Sequence, residues 1–150
     1  MRVVLQRVSG ASVTIEGQIH AQIGKGFLIL LAIEETDGSE DLLYLSSKIA
    51  KLRVFEDAEG KMNEDLVQQS GSLLIVSQFT LFAATKKGNR PSFIRAARPE
   101  TAIPLYEAFI AQMKIDSGVP VQSGLFGADM KVELVNDGPM TLLFDSKNKE

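Results

Sequence analysis

The chain contains no cysteine. That absence excludes disulfides, thiolate nucleophiles and zinc–thiolate sites together, and it removes any sign of an oxidising compartment. Histidine is nearly absent as well. His20 is the only one, in a strand-like stretch where a structural role is the ordinary reading, with no serine-plus-acid arrangement recognisable around it. A Ser–His–acid set and a His–carboxylate metal cluster therefore lack their parts. No apolar run approaches the ~20 residues of a membrane helix, and Arg2 opens directly into strand-like sequence rather than a signal-peptide pattern. The expectation is a cytoplasmic protein without a membrane segment. At 150 residues, 45% hydrophobic and 23% charged, residues 1–150 read as one domain able to bury its own core.

Net charge is −3 and the isoelectric point is near 5.3, which argues against a broad nucleic-acid coat. The distribution says more. Lys86, Lys87, Arg90, Arg95 and Arg98 share one window without an acid, leaving 11 basic residues against 19 acidic elsewhere, a balance of −8. This is a basic loop on an acidic body. It is either a solvated surface loop or a phosphate-binding one.

Along the chain, Met1–Ser9 and Ala11–Glu16 alternate apolar and polar residues as strands on a half-covered sheet do. Gly17-Gln18 suits a tight turn into a return strand, Ile19–Ile23. The continuous apolar run Phe27–Ile33 reads as a strand buried on both faces. Thr36–Glu40 looks like a helix start, and Leu42, Leu45, Ile49 and Leu52 follow at helical spacing to about residue 51 or 52. Leu52–Phe55 suggests a short strand and Asp57–Gly60 a turn. A second amphipathic helix carries Ala102, Leu105, Tyr106, Phe109, Ile110 and Met113 on one face and ends at Gly118; it tolerates Pro104 only in its first turn. Val119–Phe126 and Ala128–Val135 read as strands.

Two stretches are more informative. Ser72–Phe82 begins as a buried strand and then mixes Ser77, Gln78 and Thr80 with apolar residues. Such polar groups need partners or a cavity, since each left unpaired costs about 1–3 kcal/mol. A satisfied core network and a pocket at the strand's end both remain open. In Val135–Leu142, Gly138-Pro139 lies between strand-like runs: either a hairpin turn, or a turn that presents backbone groups to a ligand through a cis peptide.

Ser77-Gln78-Phe79-Thr80-Leu81 together with Asn136-Asp137-Gly138-Pro139-Met140-Thr141 resembles the paired signature of the D-aminoacyl-tRNA deacylases. The opening Met1–Val8 run, the Lys86–Phe93 loop and Phe126-Gly127-Ala128-Asp129-Met130 resemble that family in the same order. Each motif alone is weak, and five in register over nearly the whole chain are strong. The resemblance implies an α/β fold: a rolled, mostly antiparallel, barrel-like sheet with two main helices packed on it. It implies a homodimer that hydrolyses the ester joining a D-amino acid to the terminal adenosine of tRNA. It further implies that Gly138-Pro139 is cis, enters the partner subunit's pocket, holds the substrate amino group through its carbonyls and collides with an L-side chain. Glycine has no side chain to reject, so glycyl esters mischarged on alanine tRNA would also be cleaved.

The residue inventory fits from below. With no conventional means of activating water, the expected chemistry uses main-chain groups around Gln78 and Phe79 with help from the neighbouring ribose hydroxyl, and no cofactor or metal. Thr80 as nucleophile is the competing mechanism, though no base is visible to activate it. Ser77, Phe126 and Met130 join Gly138 and Pro139 as substrate-binding residues by the same resemblance. Lys86, Lys87 and Arg90 would contact acceptor-stem phosphates, which positions RNA without reading its sequence. Ala84, Asn89 and Met140 depart from the pattern, the first two altering loop charge and Met140 the packing behind the Gly-Pro pair. None removes a group the chemistry needs. A non-catalytic RNA-binding module, an unrelated esterase using Thr80 or Ser77, and a related synthetase-linked editing domain are the rivals.

Overall fold

Strand β1 (Arg2–Ile15) is the element on which the sheet is assembled in this computed structural model, which describes residues 1–150. Over Arg2–Val8 it pairs antiparallel with β3 (Gly26–Ala32), and over Ala11–Ile15 with β2 (Gln18–Ile23). Its other edge is covered by β8 (Lys131–Asp145). Val3 and Leu5 enter the larger core, whereas Val8, Ala11 and Val13 enter a second one. The switch falls where the register against β8 shifts, on either side of Val8. A bulge adds a residue and turns the pleat, so the second half of β1 presents a different face.

The interior strands explain the two apolar runs. β6 (Ser72–Ser77) lies parallel to β3, and β7 (Val121–Ser123) parallel to β6. Phe27, Ile29, Leu31, Leu73 and Ile75 point to the larger core, while Leu28, Leu74 and Val76 point to the other. Successive side chains alternate faces, so a strand with a core on both sides must be apolar throughout. Gly26 opens β3 because the backbones meet there: a Cβ would stand 1.8 Å from Ser72 O.

Parallel neighbours require crossovers. One carries α1 (Ser39–Ala50) and a small hairpin of β4 (Phe55–Glu56) and β5 (Met62–Glu64); the other carries a 3₁₀ turn (Phe79–Phe82) and α2 (Pro99–Ser117). The helices bury Leu42, Leu45, Ile49, Ala102, Tyr106, Phe109 and Met113 against the sheet. The far edge curls back, with Gln22 N donating to the Gln122 side chain at 2.9 Å, and the sheet rolls nearly closed. The result is the expected α/β architecture, with parallel β3–β6–β7 pairing inside it.

Several boundaries differ from the sequence reading. The first turn is Glu16–Gly17, both at positive φ, and Gln18 already pairs with Ile15. β4 starts at Phe55, β7 is only three residues long, and β8 begins at Lys131 rather than Ala128. Pro104 sits beyond the first turn of α2. Pro104 and Glu100, whose carbonyl loses its partner, are both exposed, so water can replace the missing bond. Gly118 ends α2 in the left-handed conformation, as expected.

Candidate active site

β3 and β6 run parallel and end side by side, at Ala32 and Ser77, which brings the residues that follow both strands to one end of the sheet. A cavity of about 80 Å³ lies there, lined by Leu31 and Ala32 from β3 and by Ser77, Gln78, Phe79, Tyr106 and Phe126 among others. Gln78 N donates to Leu31 O at 2.7 Å, so that amide is committed to the fold. The chain then tightens into the 3₁₀ turn, where Leu81 N is the first amide to find a partner inside the turn, Gln78 O at 3.2 Å. The amides of Phe79 and Thr80 precede that bond, as the first donors of any helical turn do. Of the main-chain groups that the sequence reading singled out around Gln78 and Phe79, the Gln78 amide is therefore already taken up by the fold.

Thr80 Oγ1 accepts a 2.5 Å hydrogen bond from Gln78 Nε2, and no histidine, lysine or carboxylate bonds to it. Two arginines hold the turn from behind. Arg2 lies 4.7 Å and Arg95 5.2 Å from the Phe82 ring centroid. Arg2 also donates to Leu81 O at 3.1 Å and to Asp145 at 2.9 Å.

Tyr106 closes the inner wall. Its hydroxyl donates to Ile75 O at 2.9 Å and approaches Gly124 O at 3.3 Å, tying the strand before Ser77 to the segment before Phe126. Burial pushes its phenol up to about 12, against an opposing hydrogen bond with Ser123, so the hydroxyl stays protonated and donating. Phe126 meets the Tyr106 ring at 5.7 Å. Met130 is not among the cavity-lining residues; it packs on the second core, and a Cβ on Gly124 would stand 2.6 Å from its sulfur.

Gly138-Pro139 is a cis peptide, and it is not a hairpin turn. β8 continues along β1 on both sides of it: Asn136 faces Val8 and Thr141 faces Gln6. Only Arg7 stands opposite Asp137–Met140, so those residues bulge outward, with Gly138 and Pro139 exposed. Asn136 braces the bulge, accepting from Met140 N and donating to Thr141 Oγ1, each at 3.0 Å. Arg7 supports its base, donating to Asp137 O at 3.0 Å and to Val54 O at 2.5 Å. The sequence reading assigned Arg7 no role. Its signal was present: a cation in the same alternation as buried Val3 and Leu5, hence aimed inward.

One chain does not unite the two signature motifs. Arg7, beneath Gly138, pairs with Phe27, whereas the cavity begins at Leu31. Four residues of strand separate them, about 13 Å. The basic loop adjoins the cavity instead. Ala84 and Ser92 exchange two backbone bonds at 2.8 and 2.9 Å, and Lys86, Lys87 and Arg90 project beyond this neck, exposed and without an acidic partner. Arg95 belongs to the fold through Glu34 at 3.1 Å, and Arg98 precedes α2, its backbone N–H donating to Glu35. His20 is exposed on β2 and makes no side-chain hydrogen bond.

The family model described as D-Tyr-tRNA(Tyr) deacylase matches residues 4–145. Proteins named D-aminoacyl-tRNA deacylase from Bacteroides thetaiotaomicron and Flavobacterium psychrophilum are 57% and 58% identical over 150 residues, covering all of this chain and all of theirs. Among solved structures, a c-Myc DNA unwinding element binding protein superposes with a TM-score of 0.89 at 38% identity, over 97% of this chain and 98% of its own. A probable eukaryotic D-amino acid tRNA deacylase shares the fold at 19% identity, TM-score 0.80, over 95% of this chain and 97% of its own. A full-length match at this identity, together with the five motifs on one scaffold, means that the chain belongs to the D-aminoacyl-tRNA deacylase family of hydrolases.

Proposed function

We infer that this protein hydrolyses the ester of D-aminoacyl-tRNA, and of glycyl-tRNA mischarged on alanine tRNA, releasing free tRNA and the amino acid in the cytoplasm. Water adds to the ester carbonyl, the carbon–oxygen bond to the terminal ribose breaks, and the ribose oxygen leaves with a proton. The Phe79 and Thr80 amides receive the developing oxyanion, each such donor contributing roughly 3–4 kcal/mol. The neighbouring ribose hydroxyl assists proton transfer. Ser77 and the Gln78 side chain fix the pocket, Phe126 forms its wall and Met130 supports that wall from below.

Chiral selection follows from the observation that carries this reading: the Gly138-Pro139 bulge is exposed and lies far from the cavity of its own chain. A second copy completes the site. Exposed Val135 and Leu143 flank the bulge on β8 and give that copy an apolar face to cover. The inserted Gly138 and Pro139 carbonyls hold the substrate amino group and exclude an L-side chain, while a D-side chain points outward. Thr80 as nucleophile is less well supported, since its hydroxyl already accepts from Gln78 and has no base beside it.

Matched D-tyrosyl-, L-tyrosyl- and glycyl-tRNA test the reading. Cleavage of the D and glycyl esters with the L ester spared is the expected result. Cleavage of all three would mean an esterase without the Gly138-Pro139 gate, and binding without cleavage would mean a nucleic-acid-binding module. Mixing a Gly138→Ala chain with a chain disabled in the Ser77–Thr80 turn should restore one intact composite site per heterodimer. No restoration would refute the cross-subunit arrangement.

A further inference from the structure

Phe79 and Phe93 form a lip on the cavity, and Ile94 follows Phe93 in the chain. Phe79 lines the cavity yet is 56% exposed, its ring meeting Phe93 edge-on at 5.2 Å and 76°. Ile94, next to Phe93, is 92% exposed, the highest value among the large hydrophobic residues. None of the three belongs to either core cluster. The neck at Ala84 and Ser92 sets this lip beside exposed Lys86, Lys87 and Arg90, none of which has an acidic partner.

An exposed Phe79 ring against a half-buried Phe93 ring, next to unpaired cations, matches the chemistry of an unpaired nucleic-acid strand, whose bases stack while its phosphates follow the positive charge. An apolar protein segment would cover the rings but leave the three cations without counter-charges. The cavity within one chain, about 80 Å³, is smaller than the roughly 150 Å³ that takes up a benzene, so a purine does not fit inside it. Bases must therefore lie outside it. Phe79 links the cavity to Phe93, and the Ala84–Ser92 neck links Phe93 to the loop that carries the cations. A strand whose terminal nucleoside sits at the cavity mouth carries its next base over the lip and its phosphates to Lys86, Lys87 and Arg90.

We propose that Phe93 and Ile94, with the Phe79 ring, form a stacking subsite for the base immediately 5′ of the terminal adenosine. The proposal rests on the reading of the cavity as the ester site. It makes the unpaired 3′ strand, rather than the paired stem, the element that sets substrate affinity.

The test is a double-mutant cycle between protein and RNA. Wild type, Phe93→Ala and Ile94→Ser are each assayed on D-tyrosyl-tRNA carrying either the normal penultimate nucleotide or an abasic one. Ile94→Ser changes a side chain that touches no core, so its fold is secure even where Phe93→Ala loosens the loop. Each single change should raise KM about tenfold with kcat held, the mark of an interaction equal in ground and transition states. The combined change should cost no more than either alone, because both remove one interaction. An abasic nucleotide without effect, or additive losses near a hundredfold, would overturn the subsite. If no ester is cleaved, the same cycle read by equilibrium binding of the uncharged RNAs separates failure of the lip from failure of the deacylase reading.

Discussion

Gly138 is constrained from two directions at once. Its φ is +131°, a region L side chains rarely adopt, and a Cβ would stand 2.7 Å from Arg7 Nη2 and 3.2 Å from Met140 N. Gly138→Ala must therefore displace the guanidinium that supports the bulge. Single-turnover cleavage of D-tyrosyl-tRNA should fall at least about a hundredfold, ~2.7 kcal/mol of transition-state stabilisation. Full activity in this variant would remove the bulge from the site. Thr80 gives the opposite expectation. Thr80→Ala keeps the main-chain amide and loses only a hydroxyl that accepts from Gln78. Its kcat should stay within about threefold of wild type, a change under 1 kcal/mol; a folded but inactive protein would make the hydroxyl the nucleophile.

At the scale of elements, the 3₁₀ turn depends on β8, because Arg2 joins Leu81 O to Asp145. Burial pushes the Asp145 carboxyl up. Hydrogen bonds from Arg2 and Lys147 N, with the positive charges nearby, outweigh it and hold the group below the usual carboxylate range. Asp41 is lowered in the same way: burial raises it, and the Ser146 hydroxyl and Gly38 amide prevail. A carboxylate lowered on folding contributes stability that is fully present above its unfolded value, near ~3.9, and is lost as pH falls through the folded one. The urea midpoint should thus stay flat from neutrality to about pH 5 and decline below about pH 4. Asp145→Asn should flatten that acid decline. An unchanged slope would show that the Arg2–Asp145 link carries none of it.

For the molecule as a whole, three unpaired cations on an acidic body predict salt-sensitive RNA binding. Each neutralised phosphate adds roughly −0.7 to −0.9 to the slope of log K against log salt, so Lys86, Lys87 and Arg90 together predict a slope near −2 to −3. Filter binding of uncharged tRNA at graded salt measures it. Lys86→Gln with Lys87→Gln should reduce the slope by about two-thirds. A flat response in the wild type would take the loop out of the interface.

Local pattern alone determined a good part of this protein. Alternation in residues 1–23 specified an antiparallel pair, and the apolar runs at Phe27 and Leu73 specified strands covered on both faces. The stripe Leu42, Leu45, Ile49 specified a helix. The chemistry was bounded too, because lacking cysteine and having one exposed histidine limits the available nucleophiles and bases whatever the fold. Tertiary structure decided the rest. A Gly-Pro pair looks the same in a hairpin and in a bulge, and only the pairing of β8 with β1 on both sides of it tells them apart. Arg7 becomes a support because the segment just before β4, and β8 itself, bring Val54 O and Asp137 O to it. The offset of about 13 Å along β3, from Phe27 opposite Arg7 to Leu31 at the cavity, is likewise a property of register, about 3.3 Å for each residue of strand, and no spacing of motifs along the chain encodes it.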